Sequence, residues 1–544
     1  MVAGLLAAAV AVGVGQLLAG ITAPDGSPIV AVGQVSIDNT PPALKNFAIR
    51  EFGSHDKVVL VAGILAVLAI FAAVVGVLAV RKLWYGMVGL ACFASLGLAA
   101  ALTRPTASPS YAAPTLVGAA AAAAALALLV RAVPAAPARA DSADLAPLAD
   151  PEAGAGRADQ DQPSTPWPPA APEPGWPARP GRPAGAAQTP RRSFLVTGSA
   201  VAGTAAVAYL GGRLLAERSS VARAQAALRV PRPVHTAPPL PAGSDLRIPG
   251  LSPFVTPNGS FYRVDTAIVL PEIPPSGWQL RVHGMVAREI TLTFDELIRR
   301  PLTADYITLT CVSNYVAGPY VGNALWVGAS VASLLREAGI RAGADQLLCT
   351  SADGFTSGTP VQTVMDGRDA MLALAMNGTA LPVAHGFPVR MVVPGLYGYV
   401  SACKWITDIE VTTYASNVAY WAQRGWDAQA PIKTESRIDV PTGAATLKPG
   451  RTPVAGVAWA QHKGVAAVEV QVDNGPWQEA RLAKVPDIDC WRQWVFDWDA
   501  TPGRHVLQAR ATDATGYTQT AQQVPPEPNG ATGYPMVAVT VSNS

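Results

Sequence analysis

The sequence predicts three successive parts: N-terminal transmembrane helices, a mixed α+β domain, and an all-β, immunoglobulin-like sandwich. Three observations carry that expectation. Four uncharged apolar runs of about twenty residues crowd into positions 1–132. A stretch rich in Pro, Ala, Gly and acidic residues, 133–190, separates them from the remainder. From about residue 431 onward, short alternating segments of strand character replace longer mixed ones. At 544 residues the chain has room for two or three domains. A mean hydropathy of +0.25 with 14% charged residues is too apolar for an ordinary soluble protein.

The apolar runs are Val2–Ile21, Val58–Val80, Leu83–Leu102 and Tyr111–Val130. Each is long enough to cross a hydrocarbon core of about 30 Å. A cleaved signal followed by buried core helices is the competing reading, and four such runs with short polar connections weigh against it. Arg81-Lys82 follows the second run and Arg131 the fourth, which places both on the cytoplasmic side. Residues 22–56 then lie outside and 133–190 inside. The latter segment, with Pro163-Ser164-Thr165-Pro166-Trp167-Pro168-Pro169, cannot bury enough apolar surface to offset its ordering and reads as a disordered cytoplasmic linker.

A fifth apolar run, Phe194–Gly212, completes a span over 191–213 and puts everything after it outside. Thr189-Pro190-Arg191-Arg192-Ser193-Phe194-Leu195, just before it, resembles a twin-arginine export signal, although Pro190 stands where Ser or Thr is usual and no Lys follows Leu195. The plainer reading is a positive anchor at the inner face. Leu214–Leu228 has helical spacing, and Ala222-Arg223-Ala224 within it resembles a peptidase site.

Between 245 and 428, Pro and Gly punctuate β-type runs such as Gln279–Val282, Ile307–Val312 and Val389–Val393, the pattern of an α+β domain. Val331–Ala338 is one of its few helices, with Ser330 as cap. In 431–544, Val468, Val470 and Val472 alternate with Glu469 and Gln471 before the turn Asp473-Asn474-Gly475. Val495-Phe496-Asp497-Trp498, His505–Thr512 and Val537–Val541 continue the pattern at sandwich-like spacing.

The net charge of +2 comes without a basic aromatic patch, so nucleic acid is not an expected partner. Cys92, Cys311, Cys349, Cys403 and Cys490 contain no C-x-x-C pair and do not form a disulfide scaffold. His55, His235, His283, His385, His462 and His505 show no metal-ligand spacing. There is no C-x-x-C-H and no histidine pair in the spans to hold haem, so no haem is expected.

Two segments carry the chemistry. Thr308-Leu309-Thr310-Cys311-Val312-Ser313-Asn314 sets one cysteine at the end of a β-type run. His385-Gly386-Phe387-Pro388-Val389-Arg390-Met391-Val392-Val393-Pro394-Gly395 follows and leads to Lys404-Trp405. Taken alone, a cysteine between Thr and Val is more often packing than ligand, His385 a satisfied loop histidine, and Arg390 half of a salt bridge. Together they resemble the sulfite oxidase family of molybdopterin enzymes. A single thiolate is a soft ligand suited to a transition metal whose other ligands come from a dithiolene cofactor and oxo groups.

That resemblance covers roughly 250–544 and implies a sulfite-oxidase-type molybdopterin-binding domain followed by a sandwich that makes a homodimer. It implies Cys311 as the molybdenum ligand, with His385 and Arg390 holding the pterin. Ser401, Cys403 and Lys404 fall where the family places further cofactor contacts, partly through main-chain groups. In Phe261-Tyr262-Arg263-Val264-Asp265, Tyr262 and Arg263 lie in a cofactor-contacting segment, while Asp265 stands where the family has histidine. Asp353, in Ser351-Ala352-Asp353-Gly354-Phe355, either matches an acidic cofactor contact or forms an Asp-Gly turn. On the substrate side, Arg424 keeps a cation, and Trp426 occupies the position of the family's active-site tyrosine. An indole donates one hydrogen bond and cannot relay as a phenol does.

The expected protein is therefore a multi-pass enzyme of the bacterial cell membrane, its catalytic domain on the extracytoplasmic face, performing two-electron oxo transfer on a small oxyanion or sulfoxide-type substrate. Electrons would pass to or from a separate cytochrome or quinone-linked partner. Reduction of a sulfoxide on the same cofactor is the alternative within this class. A cofactor-free binding or adhesion protein that retains the fold is the alternative outside it.

Overall fold

The computed structural model describes residues 1–22, 26–41, 56–103, 108–133, 190–217 and 220–543, with isolated positions 44, 47 and 51. The expected linker over 133–190 falls almost wholly outside the described residues.

Five helices are long and apolar enough to cross a membrane: α1 (Val2–Thr22), α3 (Asp56–Arg81), α4 (Leu83–Leu102), α5 (Ala112–Ala132) and α6 (Pro190–Glu217), with α2 (Pro28–Asn39) between the first two. The extra helix α2 was not expected. Its apolar stretch, Pro28–Ile37, is too short to span. Helix α1 sits at the centre because its small residues let neighbours approach. A side chain at Gly13 would meet the Ala205 backbone at 2.5 Å, and one at Gly20 the Gly212 backbone at 2.6 Å. The stem shortens to α7 (Ser220–Ala227), whose Val221 is buried and whose Gln225 amide donates to the Leu381 carbonyl at 2.7 Å. The Ala222-Arg223-Ala224 site thus lies in a helix docked onto the following domain.

The mixed domain contains strands β1 (Gln279–Gly284), β2 (Ile290–Thr293), β3 (Leu302–Thr310), β4 (Val321–Ser330), β5 (Gln346–Ser351), β6 (Thr356–Pro360), β7 (Met371–Met376), β8 (Thr379–Ala380), β9 (Arg390–Val392) and β10 (Ile406–Thr412). They form two sheets, ordered β2-β1-β10-β5-β6 and β3-β4-β7-β8, with β9 added on β7. Within these two sheets, among the described residues, β1 and β10 are the parallel pair of strands. The helix Val331–Ala338 is present and Ser330 caps it, its hydroxyl accepting from the Ser333 amide at 3.2 Å. Trp278 and Trp326 are buried, and their indoles donate to the Ile406 and Ile307 carbonyls at 2.8 and 3.1 Å. A large aromatic with its N–H satisfied is costly to remove, on the order of 3–5 kcal/mol for truncation to alanine. These anchors fix β3 and β10, the strands that deliver Cys311 and follow Lys404.

The C-terminal part is a two-sheet sandwich. One sheet is β11 (Glu435–Val440), β13 (Gly450–Trp459), β17 (Arg492–Ala500) and β16 (Arg481–Leu482). The other holds β12 (Thr446–Leu447), β19 (Met536–Val541), β18 (Gly503–Asp513), β14 (Val465–Val472) and β15 (Gln478–Glu479). The alternating Val468, Val470 and Val472 point inward, as expected. Trp459 and Trp491 join the core of the mixed domain rather than that of the sandwich. The loop before β17 also bonds along β3: the Thr308 amide donates to the Asp489 carbonyl at 2.9 Å, and the Trp491 amide to the Thr308 hydroxyl at 2.7 Å.

Candidate functional site

Strand β3 ends at Thr310, and Cys311 is the first residue beyond it. Its amide donates to the Tyr320 carbonyl at 3.0 Å, and the Tyr320 amide donates to the Asn314 side-chain oxygen at 2.8 Å, so the loop 311–320 is pinned at both ends. The Cys311 sulfur, partly buried, lies 3.0 Å from the Ser313 hydroxyl. Burial pushes its thiol pKa up, while Ser313 and then Lys404 pull it down. A thiolate here needs further positive charge, such as a metal supplies.

Arg390 opens β9 and is buried at 5% exposure. One guanidinium nitrogen donates to the His385 carbonyl at 3.2 Å, and the group stacks 5.0 Å from the Trp326 ring. Among the described residues no carboxylate pairs with it. Burial lowers its pKa to about 10. His385 stands beside it because Gly386 takes φ +109°, and a side chain there would meet the Arg390 Cβ at 2.9 Å. Burial and Arg390 push the His385 pKa down to about 4, so the ring is neutral near pH 7. Its Nε2 lies 3.2 Å from the Asn258 carbonyl, which only accepts, so Nε2 carries the proton and Nδ1 is left as an acceptor.

Lys404 donates to Asp265 at 2.8 Å and to the Ala384 carbonyl at 3.3 Å, and lies 4.7 Å over the Trp405 ring. Burial lowers its pKa to about 8 against the pull of Asp265. Arg263 bonds the same carboxylate at 2.8 Å. Asp265 therefore bridges two cations. Tyr262 rests against Phe261, and burial together with Cys311 raises its phenol while Arg390 lowers it.

Several expected residues play smaller parts. Asp353 accepts from the Phe355 amide at 3.2 Å with Gly354 at φ +87°, so it makes the Asp-Gly turn, and it also lies close enough to Lys404 and Asp265 to feel both. The Ser401 hydroxyl donates to the Leu396 and Tyr397 carbonyls, and the Cys403 side chain belongs to the core, so only their main chains are placed to meet a ligand. Arg424 stacks 3.6 Å from the Tyr420 ring and donates to the Tyr420 carbonyl at 2.7 Å. Trp426 lines a cavity of about 250 Å³ with Tyr399, Tyr414 and Trp421, and Arg424 does not. No cofactor-side residue named above lines that cavity either. Tyr399, which the sequence reading passed over, brings a phenol to within 6.0 Å, ring to ring, of Trp426. Its signal was present in Gly395-Leu396-Tyr397-Gly398-Tyr399.

The donor set fits an anionic, phosphate-bearing molybdopterin. Arg263 and Lys404 share Asp265, Arg390 adds a cation with no carboxylate partner among the described residues, and burial raises the Asp353 carboxyl toward its neutral form. In addition, the side-chain amide nitrogen of Asn314, in the loop that begins at Cys311, is buried without a hydrogen-bond partner. A buried guanidinium and a buried amide that both lack anionic partners are costly unless a ligand supplies them.

Residues 267–421 match the family described as oxidoreductase molybdopterin binding domain. That interval holds Cys311, Asp353, His385, Arg390, Ser401, Cys403 and Lys404. Chicken (Gallus gallus) sulfite oxidase is 30% identical over 294 residues, covering 46% of this chain and 63% of that protein. A rice (Oryza sativa subsp. japonica) NADH nitrate reductase is 33% identical over 333 residues, covering 49% and 36%. Among solved structures, the sulfane dehydrogenase SoxCD of Paracoccus pantotrophus is similar at 23% identity with a TM-score of 0.46, covering 53% of this chain and 84% of that one. The chain thus spans less than two thirds of the length of these curated relatives.

Proposed function

We propose that this chain, which belongs to the sulfite oxidase family of molybdopterin-dependent oxidoreductases through its mixed domain, catalyses two-electron oxo transfer on a small substrate. The observation that carries the reading is that Cys311 and Arg390 both lie close enough to the buried Tyr262 to act on its phenol, and that Arg390 is a buried guanidinium with no carboxylate partner among the described residues. The molybdenum cofactor, when bound, supplies the two-electron couple and the oxo chemistry. The protein's part is ligation, orientation and charge. Cys311 gives the soft thiolate. Arg390, Arg263 and Lys404 neutralise the anionic groups, and neutral His385 offers Nδ1 as a fixed acceptor. The Trp326 face beneath Arg390 keeps water from the guanidinium.

The substrate side supports a second reading within this class. The cavity beside Trp426 is walled by Tyr399, Tyr414 and Trp421, and Arg424 is turned onto its own segment. Such walls suit a substrate with an organic body, a sulfoxide-type molecule, better than a bare oxyanion. Reduction of that substrate takes up two electrons and removes an oxygen, whereas oxidation of sulfite releases two electrons and adds one.

The five apolar helices support an anchored protein in the bacterial membrane, with the catalytic domain extracytoplasmic and exported folded through the Arg191-Arg192 signal. The electron partner is then a cytochrome or quinone-linked protein. The sandwich, immunoglobulin-like in character, is the surface for a homodimer. The decisive measurement is molybdenum content of the native protein, made in a cofactor-competent host, followed by a substrate screen with artificial electron donors and acceptors. One metal per chain, lost on Cys311→Ser, is expected. Native protein without metal returns the fold to a binding role.

A further inference from the structure

We infer that Asp305, Asp487 and Asp489 bind a hard divalent cation, calcium in particular, that fastens the C-terminal sandwich to the strand leading into Cys311. Asp305 lies on β3, while Asp487 and Asp489 come from the sandwich loop that runs beside it. One ligating oxygen from each lies within 4.8 Å of the others. Oxygens sharing one calcium ion at about 2.3–2.6 Å fall no more than about 5 Å apart, so a single ion can touch all three.

The second observation is an orphaned acceptor. Asp489 is 4% exposed, and its Oδ1 is buried with no hydrogen-bond partner. The residue cannot easily swing away. Its carbonyl accepts from the Thr308 amide at 2.9 Å, its amide donates to Asp487 Oδ1 at 2.9 Å, and its Oδ2 faces His462 at 3.4 Å. Among the described residues no Lys or Arg pairs with any of the three carboxylates, and Asp369 adds a further negative charge nearby. A cation among them supplies both the missing partner and the missing charge.

The all-oxygen set selects a hard ion over zinc. The adjacent Cys490 thiol is already engaged with the Tyr306 carbonyl at 3.3 Å. Asp305 lies six positions before Cys311, and the loop's bonds to Thr308 lie between them. The ion would therefore hold the strand that positions the thiol, whatever occupies the site beyond.

The test uses the full chain in detergent, stripped with EGTA and titrated calorimetrically with CaCl2, MgCl2 and ZnCl2. One calcium per chain is expected, with a saturable rise in the melting temperature. Asp487→Asn, at the half-exposed member, should weaken calcium at least tenfold. Terbium luminescence on the wild-type chain, displaced by calcium, gives the same answer if that variant does not fold. No calcium binding, a response to zinc alone, terbium that calcium does not displace, or undiminished affinity in a folded Asp487→Asn would each overturn the site.

Discussion

Lys404 offers the sharpest test of the cofactor cradle, because its burial has a calculable consequence in the cofactor-free protein. Its pKa falls from 10.5 to about 8 in the folded chain. The folded state therefore releases this proton at lower pH than the unfolded state does. Between those two values the unfolded chain holds more protons, so stability rises with pH across the window from about 8 to 10.5. Below it, both states are charged and the folded one bears the whole desolvation cost. A shift of this size corresponds to about 3 kcal/mol. Lys404→Met keeps the aliphatic stem over Trp405 and removes the titration. Thermal and denaturant unfolding of the cofactor-free wild type and this variant, followed from pH 7 to 10.5, should show the variant more stable at pH 7. The gap should close by about 3 kcal/mol toward pH 10.5. Bound cofactor should erase the slope in the wild type, because its anionic groups hold the ammonium charged. A gap independent of pH would refute the claim that Lys404 is a strained cation awaiting an anion.

Other outcomes follow from the same geometry. Cys311→Ser should abolish molybdenum binding while moving unfolding free energy by less than about 1 kcal/mol, since the sulfur is only partly buried and serine keeps the contact to Ser313; metal analysis and melting curves check both. Trp426→Tyr should restore a phenol at the substrate wall and raise kcat/KM for sulfite relative to a sulfoxide by about tenfold or more, the scale of one positioned proton donor. A fall in both would mean the indole is simply structural. Arg191→Lys with Arg192→Lys should leave the C-terminal domain in the cytoplasm, read by protease protection of whole cells. Unchanged exposure would separate the export reading from the enzyme reading.

Much of the fold was legible because its signals are local. Period-two alternation marked β14, an apolar run of about twenty residues marked each long helix, and Ser330 marked the start of Val331–Ala338. Helix α2 was missed since its apolar stretch is half the length of a span and lies among polar residues that read as a loop. The sharing of Trp459 and Trp491 with the neighbouring core was also invisible. Trp459 ends a run of consecutive buried residues in β13 and Trp491 lies in the loop just before β17, and neither setting says into which core the indole goes. Burial pattern is a property of one strand, and choice of partner is a property of the assembled sheets.

The site divides along the same line. Cys311, His385 and Arg390 could be named because two short segments together resemble the sulfite oxidase family; taken singly, their residue types read as packing, a loop histidine and a salt bridge. Asp265 could be noticed only as a departure. Its role depends on Arg263 being two residues away and Lys404 being 139 positions distant, and only folding makes that carboxylate the common partner of both. A histidine there would leave Lys404 without its counter-charge, and burial alone would then push the ammonium further toward its neutral form. The aspartate thus keeps Lys404 charged enough to meet an anion while cancelling part of the positive field that the cradle presents. In the proposed reading, a cradle so tempered leaves Arg390, without a carboxylate, and the partnerless Asn314 amide as the groups able to direct bonds to an anion. On the proposed reading, Asp265 then bears on how the cofactor is held, while Tyr399, Trp421 and Trp426, which line a separate cavity, bear on the substrate.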